Sequence, residues 1–480
     1  MLTGLLIICA VIWIPLLLFQ ISRRGFLVLV IWLLVAPIAT NAITGSANPF
    51  FEPYTESSAE RQIHSSGWWE GTSQGVKMRE LLEPTRVLFA VFLAVFLLKA
   101  LVKRKNPLDL DRTERWMVAF SAILIVNILL QSQRLLYSLR VATDAFIIPF
   151  AAYYIARRFV GDEKKLSHLI WAFGYLALYL IIIGFIERVS YPGLLYRLKG
   201  PFDSGTSYYY VLAVGFFSML LTAVGDQSLR SRKGMVSEVV CWSVLMLAPV
   251  IVFLTWSRGS WVGLLLGAWV FSLLAYRLLR PTNRLGAAGV ALMVVPLIGF
   301  IVYGFGSFIP DRVIGERILT GTTIEWRIER WRIATAEGAQ HPFIGIGYNN
   351  LREVYASELG NVYSAHNSFL SAFAELGVIG LIAFLGIFVS ILRLGFSLYQ
   401  RRRSTADGYR GATIIAVVGA YLVPALFANT LEAAGVVLVY LYAFVGGIAG
   451  VYRGRPPASD RTVSSGESML EHVYANERSD

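Results

Sequence analysis

The sequence predicts an all-α, polytopic integral membrane protein of about 12–13 transmembrane helices, and three observations predict it. The chain of 480 residues is 56% hydrophobic and only 15% charged, whereas a soluble domain carries about 25% charge. Its apolar residues come in long runs, such as Leu5 to Phe19, Leu169 to Ile186 and Gly286 to Phe305, close to the length that crosses a bilayer core. Its basic clusters lie between or beside those runs. Continuous runs, rather than alternating apolar and polar residues, exclude a membrane β-barrel.

Thirteen segments follow in order, at roughly 3–20, 26–43, 84–102, 116–131, 143–158, 167–186, 208–224, 236–255, 260–278, 286–306, 366–397, 411–429 and 434–452. Met1-Leu2-Thr3 lacks a basic start, so the first segment reads as a retained helix rather than a cleavable signal. The net charge of +12 would suggest nucleic acid in a soluble protein. Here Arg23-Arg24, Lys103 to Lys105, Arg157-Arg158, Arg230 to Lys233, Arg277 to Arg284 and Arg401 to Arg403 mark cytoplasmic loops. The loops 44–83, 132–142, 187–207, 256–259, 307–365 and 430–433 then face outward. A membrane domain over 1–452 and a disordered cytoplasmic tail over 453–480 complete the organisation. Cys9 and Cys241 fall inside apolar runs and offer neither a metal site nor a disulfide framework.

The longest outer loop, 307–365, contains Trp326, Trp331, Tyr348 and Tyr355, a composition that predicts order. Thr323 to Gly338 reads as an amphipathic helix that His341-Pro342 ends, with a turn at Gly345-Ile346-Gly347. This loop holds six arginines and no lysine. Arginine's planar fork binds phosphate oxygens in pairs and keeps its proton. Arg327 and Arg330, three apart, share a face, and Arg327 and Trp331, four apart, can stack.

Two further features face the same side. Thr255-Trp256-Ser257-Arg258-Gly259-Ser260 puts an arginine at the outer boundary, where a topology anchor would not stand. Ala365-His366-Asn367-Ser368-Phe369-Leu370, followed by Glu375-Leu376-Gly377 and Gly380, puts one of five histidines at the mouth of an apolar segment. A histidine there can exchange a proton near neutral pH. Ser257, Arg330, Trp331, His341 and Asn367 are candidates for substrate contact, and Glu375 for a supporting role. No ligand spacing for a metal and no phosphate-binding Gly-rich loop with a following lysine is visible, so neither a metal, a cofactor nor a nucleotide is expected.

Three blocks together resemble the O-antigen ligase/polymerase superfamily of bacterial membrane glycosyltransferases. They are Thr255 to Gly263; Arg327 to Tyr348, with Arg-x-x-x-Trp before His341-Pro342-Phe343-Ile344-Gly345-Ile346-Gly347; and His366 to Gly380. The resemblance implies a GT-C-like, metal-independent inverting transferase in the inner membrane, working at its periplasmic face. The donor it implies is a glycan on undecaprenyl pyrophosphate, and the acceptor is lipid A-core in ligases or a second repeat unit in polymerases. By motif, Arg258, Arg327 and His366 match the family's essential residues. Two other classes remain open: a transporter of a small anion such as bicarbonate, and a lipid-linked glycan flippase. A transporter would set its polar residues near the midplane, whereas these arginines lie at the outer edge.

Overall fold

A computed structural model describes residues 26–34 apart from 28, then 109–190, 198, 200, 202, 205–224, 234–278, 322–359, 365–401, 405–427 and 435–453. Its regular structure is helical, with no strand among the described residues. In chain order the helices are α1 (Arg112–Gln131), α2 (Leu135–Phe159), α3 (Glu163–Ser190), α4 (Gly205–Val224), α5 (Met235–Leu254) and α6 (Arg258–Tyr276). They continue with α7 (Thr322–Gln340), α8 (Leu351–Leu359), α9 (Ser368–Gln400), α10 (Thr405–Ala425) and α11 (Gly435–Val451). Among the described residues, eight of these helices are long and apolar enough to cross a membrane: α1 to α6, α9 and α10; α11 is apolar but shorter. The molecule is thus an all-α, multi-pass membrane protein. The expected segments 3–20, 84–102 and 286–306, most of 26–43, the loop 44–83 and the tail after Arg453 lie outside the described residues.

The helices differ in depth. The spans of α4 and α10 are 89% and 83% buried, against 39% for α1, so α4 and α10 form the middle of the bundle and α1 lies at its edge. Lipid is as apolar as a leucine side chain, so helices in a membrane associate through close backbone approach. Gly263 and Gly267 provide it for α6, where added Cβ atoms would come within 2.6 Å of Ala420 O and 2.9 Å of Ala416 O on α10. Buried tyrosines tie α4 to α10, with the Tyr209 hydroxyl donating to Ala420 O at 2.8 Å and Tyr421 to Tyr210 O at 2.6 Å.

One end of the bundle is ionic. Asp111 caps α1 reciprocally with Glu114, and Glu114 receives Arg157 at 2.7 Å and Arg158 at 2.5 Å from the last turn of α2. Arg410 of α10 grips Glu163 of α3 at 2.6 and 3.0 Å. Arg453 lies 2.9 Å from Asp109 and holds that carboxyl below its ordinary range, its hydrogen bond being the largest cause. The opposite end collects the 132–134 turn, Leu198, Thr255 to Ser257, the 341–350 turns and His366. The segments fall at the two ends in the same two groups that the charge pattern separates.

Two expectations are corrected. The connection read as 132–142 is only 132–134, since α2 begins at Leu135 and runs through a π-turn at Thr143–Ile147. The segment read as one helix over 366–397 begins at Ser368 and breaks at Gly377, whose φ of 66° and ψ of −171° leave the helical region.

The break is made by the turn 342–347. Ile346 N donates to Ala374 O at 2.9 Å and Gly347 N to Glu375 O at 3.1 Å. Val378 N and Ile379 N return bonds to Pro342 O at 2.8 Å and Phe343 O at 3.4 Å. The carbonyls freed by breaking α9 are thus satisfied by the turn. The backbones lie so close that a Cβ at Gly377 would sit 2.3 Å from Phe343 O, and one at Gly345 2.3 Å from the Glu375 carbonyl carbon. Both positions have positive φ, the region glycine tolerates. Asn127 of α1 locks the junction, donating to Ile344 O at 2.7 Å and accepting from Tyr348 N at 2.7 Å.

Candidate active site

The site lies where α7 crosses the start of α9. Asn367 is the N-cap of α9, and its side-chain oxygen accepts from Phe369 N at 3.0 Å and Leu370 N at 3.1 Å. That oxygen is committed to the orphan amides of a helix start, so Asn367 holds the segment rather than presenting its oxygen to a ligand. Two residues earlier the Trp331 indole N–H donates to Ala365 O at 2.9 Å. His366 is fixed between these anchors with φ 48°, a conformation that a non-glycine residue adopts only when its surroundings impose it.

The His366 ring meets Trp326 edge to face, 5.1 Å between centroids. Arg330 lies over the same indole at 4.3 Å and Arg327 at 5.5 Å. Trp326 therefore packs histidine and both cations around one ring. Arg330 is buried, and the Tyr355 hydroxyl of α8 donates to its backbone oxygen at 3.0 Å. The predicted amphipathic helix over 323–338 is present as α7 over Thr322–Gln340. The expected stacking partner of Arg327 was Trp331; the indole next to both cations is Trp326, since Trp331 is turned toward Ala365.

Burial, and then the charges of Arg327 and Arg330, push the His366 imidazole down to about 4. The free imidazole is therefore neutral at pH 7 and can accept a proton. An anion arriving at the two arginines would cancel part of their effect and make His366 a stronger base.

The remaining candidates occupy other places. Arg258 is exposed, the first residue of α6, with Ser257 as N-cap. The Ser257 hydroxyl bonds to Ser260 at 2.7 Å and Thr206 at 3.1 Å. Gly259 faces Pro424 at the end of α10, while Tyr421 and Leu422 of α10 share a pocket with Phe369 of α9. Arg258 and His366 are therefore at the same end of the bundle, on opposite flanks of α10. His341 is exposed at the end of α7. Glu375 is fully buried at the break of α9, its Oε1 accepting from Leu351 N at 3.3 Å. Among the described residues no group of three His, Cys, Asp or Glu side chains gathers as a metal-holding set.

Sequence reasoning read Trp326 and Tyr355 only as ordering the loop and did not single out Asn127. Two carried a signal: Trp326 is four residues before Arg330, and Asn127 is a lone amide within an apolar run.

Fold and site together define a multi-pass membrane protein with a histidine and arginines gathered at one membrane boundary. Residues 242–385 match the family model described as O-antigen ligase. The match runs from α5 into α9 and takes in Arg258, α7 and His366, and it supports the O-antigen ligase/polymerase superfamily. That family is one of membrane glycosyl-transfer enzymes with lipid-linked glycan substrates. No curated protein matches the chain.

Proposed function

We propose that the chain is a metal-independent inverting glycosyltransferase of the bacterial inner membrane. It transfers a glycan from undecaprenyl pyrophosphate to an acceptor hydroxyl at the periplasmic face. The acceptor is lipid A-core, as in a ligase, or a second lipid-linked repeat, as in a polymerase. The observation that carries this reading is the neutral His366 held beside Arg327 and Arg330 on one indole, at the mouth of a membrane helix.

The chemistry follows from that placement. The acceptor oxygen forms a bond to the anomeric carbon as its proton passes to His366. The bond from that carbon to the pyrophosphate oxygen breaks, and the electron pair leaves with the pyrophosphate. Negative charge grows on this leaving group, and Arg327 and Arg330 stabilise it. Arg258, across α10, meets the pyrophosphate from its other flank, at the start of α6, where helix amides also favour an anion. Attack from the face opposite the leaving group inverts the anomeric centre.

The glycan profile of a deletion strain tests the reading and divides its two forms. Unlinked, carrier-borne polymer identifies a ligase, and single repeat units identify a polymerase. An unchanged surface glycan would refute both.

A further inference from the structure

The turn that breaks α9 leaves two large apolar side chains in the open. Phe343 is 71% and Ile344 52% exposed. A water-facing turn gains nothing from this pair. Their neighbours indicate what covers them. On α1, Leu129 and Leu130 are 60% and 74% exposed, and on α9, Ile379 and Ile382 are 47% and 55% exposed. These belong to spans whose outward faces meet lipid, and α1 packs directly on α9. The turn lies across both helices, since Ile344 O accepts from Asn127 and Phe343 O from Ile379 N. Asn127 is one turn, about 6 Å, inside the end of α1 at Gln131. The turn is thus level with the span rather than above it.

Most of its backbone fits that depth, the Phe343 and Ile344 amides excepted. Irregular backbone survives in hydrocarbon only where protein satisfies its polar groups. Pro342 has no N–H to satisfy. The oxygens of Pro342, Phe343 and Ile344 accept from Val378, Ile379 and Asn127. The amides of Gly345, Ile346 and Gly347 donate to His341, Ala374 and Glu375.

We propose that the 341–347 turn is a bilayer-immersed wedge: Phe343 and Ile344 contact the acyl chains of membrane lipid and pin the end of α7 at the membrane surface. The helix carrying Arg327 and Arg330 is then held at headgroup height, where a lipid-borne phosphate resides.

The test places a nitroxide on Phe343→Cys in a Cys9→Ser, Cys241→Ser background, in nanodiscs of phosphatidylethanolamine and phosphatidylglycerol. Leu130→Cys serves as the lipid-facing reference and Thr335→Cys, exposed on α7, as the aqueous one. Relaxation by oxygen should exceed relaxation by a polar nickel chelate at Phe343, as at Leu130 and opposite to Thr335. Relaxation dominated by the chelate would put the turn in water and overturn the proposal. Shielding from both reagents would mean that protein, a second copy or a partner, covers it, and would also overturn it. This readout needs no catalysis, so it stands apart from the transferase reading. In transfer assays, Phe343→Leu should keep activity. Phe343→Ser with Ile344→Ser should lower kcat/KM for a carrier-borne donor about 10-fold or more, given the transfer cost of one large apolar side chain.

Discussion

If His366 is the base, the acid side of the pH profile should bear the mark of its surroundings. The imidazole is depressed to about 4, first by burial and then by Arg327 and Arg330. A depressed histidine stays neutral until pH falls to its own value, so catalytic competence is present at neutral pH and lost on the way down through about 4. At pH 5 about 90% of the enzyme should still hold a neutral base, whereas a histidine at its ordinary value of about 6.5 would retain only about 3%. The profile of kcat/KM reports the free enzyme, and it should stay flat from pH 8 to about 5. The profile of kcat reports the donor complex. There the pyrophosphate offsets the two arginines, and its acid limb should lie above that of kcat/KM. Arg330→Gln removes one repelling charge and should move the kcat/KM limb upward. The assay is transfer from carrier-linked glycan in detergent between pH 4 and 8, at limiting and saturating donor. A kcat/KM limb near 6.5 that ignores Arg330→Gln would refute the coupling of histidine to arginine.

Three other outcomes are expected. Arg258→Lys and Arg327→Lys should each lose most transfer activity with normal expression, because the paired phosphate contact needs the guanidinium fork; full activity with both lysines would reduce the clamp to generic charge. Gly377→Ala should lower thermal stability by about 2–4 kcal/mol, because its Cβ would lie 2.3 Å from Phe343 backbone atoms at a φ of +66°. Gly419→Ala, with nothing within 4 Å, should be neutral or slightly stabilising, and equal melting of the two variants would contradict the account of the break. Thr335→Cys should react with an impermeant thiol reagent from the periplasmic side and Gly161→Cys, also exposed, only after the membrane is opened; the reverse pattern would invert the topology.

Much of the fold was legible because membrane spans announce themselves by length and apolarity. The segments expected at 116–131, 208–224 and 236–255 appear as α1, α4 and α5 within a few residues. The amphipathic period of 323–338 and the glycines of 345 and 347 were local signals, and both features are present. The break at Gly377 was not legible. Apolar sequence continues through it, and its cause is a turn thirty residues earlier in the chain, so no local pattern encodes it. The start of α2 was misread because Arg134 and Arg140 interrupt apolar sequence; Arg140 is buried within the helix. Within the site, helical spacing allowed either indole beside Arg327 and Arg330. The choice of Trp326 depends on Ala365 capturing Trp331, a contact across thirty-four residues. The charge pattern led to the expectation of Arg258 at the outer boundary, but its separation from His366 by α10 needed the packing.

The most direct test of the central claim is glycan transfer in vitro by the His366→Ala variant, with donor binding followed separately. Purified protein, undecaprenyl-pyrophosphate glycan and a lipid A-core acceptor or second carrier-linked repeat suffice. Loss of a general base predicts turnover lower by about 10²–10⁴-fold, with donor affinity nearly unchanged because the phosphate contacts belong to the arginines. Transfer at the wild-type rate would remove His366 from the chemistry, and lost donor binding would make it a binding residue instead.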